Sequence, residues 1–207
     1  MQTARCDVAA VCLNGLVYAV GGSGPDASVE RYDPPPNVWS VVAPMNKARV
    51  FHAVCALNGY VCAVGGWGAG GRLSSVERYN PATNSWSLVA SMQTVRNCPT
   101  VCVLDGCIFT AGGWDATIRV SSVEQYDPLT DSWSAVAPMQ HARNFHAMAV
   151  LSGHIYVAGG VCAERSVKRY DAATDSRSSV ADMVHDRLNF GLFLVNGRLT
   201  AVGGHDV

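Results

Sequence analysis

Eight side chains in this 207-residue sequence stand where recognition chemistry is expected: Phe51, Trp67, Arg72, Cys98, Trp114, Arg119, Phe145 and Asn189. Aromatic rings beside arginine suit a protein-binding surface, because they join large apolar contact area to directional charge. Covalent and metal chemistry find less support. The histidines, His52, His141, His146, His154, His185 and His205, are scattered and none is grouped with cysteine at ligand spacing. No metal, no cofactor and no catalytic constellation is therefore expected. The eight cysteines sit in apolar runs without a C-x-x-C pair, which suits small reduced core residues. Cys98 falls in the recognition set and is the candidate for an accessible thiol.

These side chains occupy fixed columns of a repeat. SVERYNPATNSW at 75–86 returns 47 residues later as SVEQYDPLTDSW, with further copies beginning at Ser28 and Ser166. Gly-Gly pairs at 21–22, 65–66, 112–113, 159–160 and 203–204 keep step with Tyr32, Tyr79, Tyr126 and Tyr170. Seven residues after each tyrosine come Trp39, Trp86 and Trp133, then Arg177 where a tryptophan is due. An arginine in that slot is expected to bury its head without a partner and to weaken the fourth unit. Arg49, Arg96 and Arg143 recur in register with Glu30, Glu77 and Glu124, as structural ion pairs would, while Lys168 breaks the glutamate column. The residue after each Gly-Gly is Ser23, Trp67, Trp114, Val161 or His205; two positions beyond each repeat arginine stand Asp7, Phe51, Cys98, Phe145 and Asn189. The chain thus reads as one array with units of about 5–48, 49–95, 96–142 and 143–186 and a half unit over 187–207.

Each unit divides into four short apolar runs, in the second FHAVCAL, YVCAVG, SVERYN and SWSLV. Asn58-Gly59 and its counterparts Asn14-Gly15, Asp105-Gly106, Ser152-Gly153 and Asn196-Gly197 join the first two as a tight hairpin, since Asn and Gly accept the positive φ that such turns need. Four antiparallel strands per unit, with no helical period, predict an all-β propeller of about four and a half four-stranded blades. First strands rich in alanine fit a crowded axis, and outer Tyr and Trp fit the widening wedge between blades. An antiparallel meander puts the loops after Gly-Gly and after Pro-Met at one end. That end carries the variation, so it is the expected binding face, and Phe51 and Phe145 are there either recognition or core residues.

The Gly-Gly, Tyr, Trp, Pro-Met and Arg columns resemble the kelch repeat, and the phrases SVERYDP, VAPM and NGxxYAVGG resemble the kelch-like proteins that join a BTB domain to a kelch propeller. The resemblance implies a ring that usually has six blades, of which this sequence supplies part. It also implies a substrate protein or peptide bound at the columns after Gly-Gly and after the loop arginine; some propellers with this repeat are copper oxidases or hydrolases, but the scattered histidines here offer no such constellation. In such proteins the propeller selects substrates for a cullin-RING ubiquitin ligase, reached through upstream domains that this sequence does not contain. Actin binding, a role of other kelch proteins, is the alternative.

Charge and hydropathy narrow the remaining classes. Fifteen basic residues against sixteen acidic ones, with a pI near 6.6, offer no broad attraction for nucleic acid or an anionic membrane. Apolar runs are of strand length, far below the roughly 20 residues that span a bilayer. The N-terminus does not read as a secretory signal, so a cytoplasmic location is expected.

Overall fold

The computed structural model describes residues 1–22 and 27–205; Ser23 lies outside them. Blade one comprises β1 (Ala9–Leu13), β2 (Leu16–Val20), β3 (Val29–Asp33) and β4 (Val38–Val42). Blade two has β5 (Ala53–Leu57), β6 (Tyr60–Val64), a two-residue hairpin β7 (Trp67–Gly68) and β8 (Gly71–Arg72), then β9 (Val76–Asn80) and β10 (Ser85–Val89). Blade three holds β11 (Thr100–Leu104), β12 (Cys107–Ala111), β13 (Val123–Asp127) and β14 (Ser132–Val136). Blade four follows with β15 (Ala147–Leu151), β16 (His154–Ala158), β17 (Val167–Asp171) and β18 (Ser176–Ser179), and β19 (Gly191–Val195) pairs with β20 (Arg198–Val202) as a half blade. Each full blade is an antiparallel meander, and the first strands β1, β5, β11, β15 and β19 pack against one another in succession around the axis. No helix among the described residues is long and apolar enough to cross a membrane.

The predicted turns form as their residues require. Asn58 and Gly59 both take positive φ, 50° and 81°, and the equivalent pairs do the same. The Gly-Gly pairs serve a second purpose, as the joints between blades. Gly65 offers its carbonyl to Arg49 Nη1 at 2.9 Å, and Gly66 N–H donates to Arg96 O of the next blade at 2.7 Å. A Cβ on Gly65 would lie 2.7 Å from that same Arg96 carbonyl, so only glycine allows the approach.

Apolar side chains form layers between consecutive blades, not one central core. Tyr18, Val20 and Met45 of the first unit pack with Val61, Ala63 and Tyr79 of the second, and the two following interfaces repeat the pattern. Trp86 and Trp133 sit in these layers and donate Nε1–H to Ala43 O and Ala90 O of the preceding blade, each at 2.9 Å. Arg177 departs from the expectation of an unpartnered head. Its Nε and Nη2 donate to Ala137 O at 3.1 and 2.6 Å, and its guanidinium lies 4.5 Å from the Tyr170 ring centroid. A planar donor stacked on tyrosine thus replaces the indole in both its packing and its hydrogen bond.

Candidate interaction face

The columns two beyond the repeat arginines meet around the axis. Asp7, Phe51, Cys98, Phe145 and Asn189 line a funnel of about 440 Å³ together with Pro99, Thr100 and Phe190. All five column residues have left-handed backbone, φ 53–55°, which is unusual for a phenylalanine. Hydrogen bonds between neighbours hold the ring: Cys98 N–H donates to Phe51 O and Asn189 N–H to Phe145 O, both at 2.9 Å. Non-glycine residues held in this conformation collect at ligand-binding sites, where the fold overrides their backbone preference. Phe51 is exposed and Phe145 half-buried, so both rings reach the funnel surface and are not sealed into the core.

The tryptophans stand on the rim of the same end, outside the funnel. Trp67 pairs with Val50, next to Phe51, and Trp114 pairs with Asn97, next to Cys98. Each carries its arginine with it: Arg72 lies 5.2 Å over the Trp67 ring and Arg119 5.3 Å over Trp114. Arg72 also reaches across to blade three, donating to Ala116 O at 3.3 Å. Asp115 shapes the Trp114 loop by accepting from the N–H groups of Thr117 and Ile118 at 2.6 and 2.8 Å. Trp67 borders a cleft of about 250 Å³ with Val50 and Ala48, and Trp114 one of about 360 Å³ with Ile118, His141 and Cys162. The single face expected from the columns is therefore a central funnel with two aromatic rim clefts. Pro99, Thr100, Ile118 and His141 escaped the column reading, although each adjoins a column residue or shares its loop.

Electrostatics separate the scaffold from the face. Arg5, Arg49 and Arg96 pair with Glu30, Glu77 and Glu124 at 3.1, 2.9 and 2.9 Å, all buried, so these arginines are unavailable to a ligand. His52 and His146 belong to the funnel lining but are buried, and burial followed by the neighbouring guanidiniums of Arg49 and Arg143 holds each imidazole pKa at about 3. They pack as neutral rings, His146 Nε2 lying 2.7 Å from Thr100 Oγ1. Burial, with Asp7 adding to it, pushes the Cys98 thiol up to about 12, so it is protonated and unreactive at neutral pH. Cys55, Cys62 and Cys102 are buried as expected, whereas Cys6, Cys12 and Cys162 are exposed.

Residues 4–46, 48–93, 96–140 and 142–184 each match the Kelch motif. The chain belongs to the kelch-repeat family. It is 37% identical over 81 residues to Kelch-like protein 13 of Homo sapiens, and 39% identical over 73 residues to Kelch-like ECH-associated protein 1B of Danio rerio. These stretches take in 35% and 32% of this chain, and 12% of each relative. An F-box/kelch-repeat protein of Arabidopsis thaliana is 36% identical over 70 residues, 32% of this chain and 19% of that protein. The kelch chain thus spans a small part of the length of its curated relatives. The solved structure of YjhT superposes over 98% of it and 73% of YjhT, with a TM-score of 0.86 at 17% identity, which shows the shared propeller fold. The molecule is a kelch propeller of the protein-interaction type.

Proposed function

We propose that this kelch propeller is the substrate-recognition part of a kelch-like adaptor for a cullin-RING ubiquitin ligase. A segment of the bound protein lies across the loop end, with an apolar side chain in the funnel between Phe51 and Phe145 and acidic side chains toward Arg72 and Arg119. The observation that carries the reading is the joining, at one end, of a left-handed ring of recognition-type side chains to two stacked Trp–Arg pairs. A stacked guanidinium keeps its edge N–H groups for a carboxylate while its face is shielded from water. The similarity to Kelch-like proteins supports the ligase assignment over the actin-binding one.

Immunoprecipitation from the source cells with antibodies against this chain distinguishes the two roles. A cullin among the recovered proteins is the expected result. Filamentous actin without a cullin would assign the propeller to the cytoskeleton instead.

A further inference from the structure

In the first three blades one carboxylate closes a small polar knot. Glu30 accepts from the N–H groups of Gln2 and Thr3 at 2.5 and 3.1 Å, and from Arg5. Glu77 accepts from Asn46 and Lys47 N–H at 2.8 and 3.1 Å and from Arg49 Nε and Nη2 at 3.3 and 2.9 Å. Glu124 repeats the set with Gln93 and Thr94 N–H at 2.6 and 3.2 Å and Arg96 Nε and Nη2 at 3.3 and 2.9 Å. The matching position of blade four, one residue after Val167 in β17 as Glu124 follows Val123 in β13, holds Lys168.

The donors remain although the acceptor is gone. Arg143 is 1% exposed; its Nη1 donates to Gly159 O and Ser166 O at 2.9 and 3.0 Å and its Nη2 to Ser166 Oγ, while Nε has no acceptor. Among the described residues no acceptor meets the N–H groups of Gln140 and His141, the counterparts of Gln93 and Thr94. Lys168 turns aside, its Nζ 2.8 Å from Ser179 Oγ. A cleft of about 220 Å³ opens beside Lys168, lined by Pro138, Gln140, Lys168, Arg177, Ser178 and Ser179. Two carboxylates act on Arg143 from a distance, Asp182 and Glu164, but both accept from backbone N–H groups elsewhere, Val167 at 3.3 Å and Cys162 at 2.9 Å.

We propose that this cleft between blades three and four binds a small oxyanion, a carboxylate or phosphate group that takes the place of the missing glutamate side chain. Gln140 lines the cleft; by repeat register its N–H, the His141 N–H and Arg143 Nε are the counterparts of the donors that direct Glu77 and Glu124, and an oxyanion in the glutamate's place accepts from them. Lys168 and Arg177 supply charge from the outer side. A buried guanidinium edge without an acceptor is unfavourable, and an anion removes that penalty in one step.

The full chain, in chloride at fixed ionic strength, is titrated with inorganic phosphate and separately with acetate while 15N NMR follows the Gln140 and His141 amides and Arg143 Nε–H. Saturable shifts centred on those three groups are expected with at least one of the anions; phosphate marks a free-anion site and acetate alone marks a slot for a protein carboxylate. Lys168→Glu supplies the acceptor that the other three blades carry, so it should melt higher than the parent in chloride and lose affinity for the anion at least tenfold. Lys168→Met removes charge without adding an acceptor and should keep the site at weaker affinity. Shifts that never saturate or spread over the whole propeller, an undiminished response in Lys168→Glu, or failure of that variant to fold would each overturn the proposal.

Discussion

At the scale of single residues, side chains are set apart by what they already satisfy. Arg49 and Arg96 are spent on buried glutamates and glycine carbonyls, whereas Arg72 and Arg119 are stacked on rim tryptophans and keep an edge for a partner. Cys98 lies in the funnel but is held protonated by burial. Alkylation at pH 8 followed by peptide mass spectrometry should therefore modify the exposed Cys6, Cys12 and Cys162 well before Cys98, and rapid labelling of Cys98 would refute its assignment as an inert wall residue. Arg177 gives a second test. Because it already makes the indole's hydrogen bond to Ala137, Arg177→Trp should change unfolding free energy by less than about 1 kcal/mol, while Arg177→Ala should lose about 1–3 kcal/mol through the missing stack and the orphaned carbonyl. A large stabilisation in the tryptophan variant, measured by urea unfolding, would show that arginine fills the slot poorly. Its role was not legible in the sequence: the column showed a missing aromatic, but only the position of Tyr170 and the Ala137 carbonyl shows that a guanidinium fits.

Secondary-structure elements were almost wholly legible, because their signals are local. Asn-Gly and Asp-Gly turns demand positive φ at both positions, and the short apolar runs between turn residues mark the strands. The β7–β8 hairpin was not foreseen, since Trp67-Gly68 and Gly71-Arg72 are too short to carry a periodic signal. Where the blades meet, His52 and His146 make the fold acid-sensitive. Each imidazole is neutral in the folded protein with a pKa near 3, against 6.5 when free. Below pH 6.5 the unfolded chain binds more protons than the folded one. Stability should therefore fall as pH drops from about 6.5 toward 3, by up to about 1.4 kcal/mol per pH unit for each ring. Lowered carboxylate pKa values, as at Glu30, add their loss only below about pH 4.5, so the higher window reports the histidines. Urea midpoints at pH 7.5 and 5.5 check the sign; equal midpoints would show that the rings are not buried neutral.

On the scale of the whole molecule, repetition told the blade architecture and which loops share an end, while side-chain placement across blades had to come from three dimensions. The sequence columns put Trp67, Phe51, Trp114 and Phe145 on one face but did not divide them into funnel and rim, since that depends on the radial distance of each loop from the axis. The half blade leaves Phe193, Leu194, Val195 and Val202 exposed. An apolar, two-stranded edge of this kind should make the isolated 207-residue chain self-associate, with light-scattering mass rising with concentration; a concentration-independent monomer would show that the face is covered within the chain. The central claim is that the loop end, and not the end with the repeated turns, binds the partner protein. Its most direct test is the affinity of a partner recovered with the natural protein for four variants of this chain. Trp114→Ala and Phe145→Ala should each weaken binding by about 2 kcal/mol, whereas Asn58→Ala and Thr83→Ala at the turn end should leave it unchanged. Loss of binding in the Asn58 and Thr83 variants, with Trp114 and Phe145 silent, would place the site on the opposite end and contradict the account.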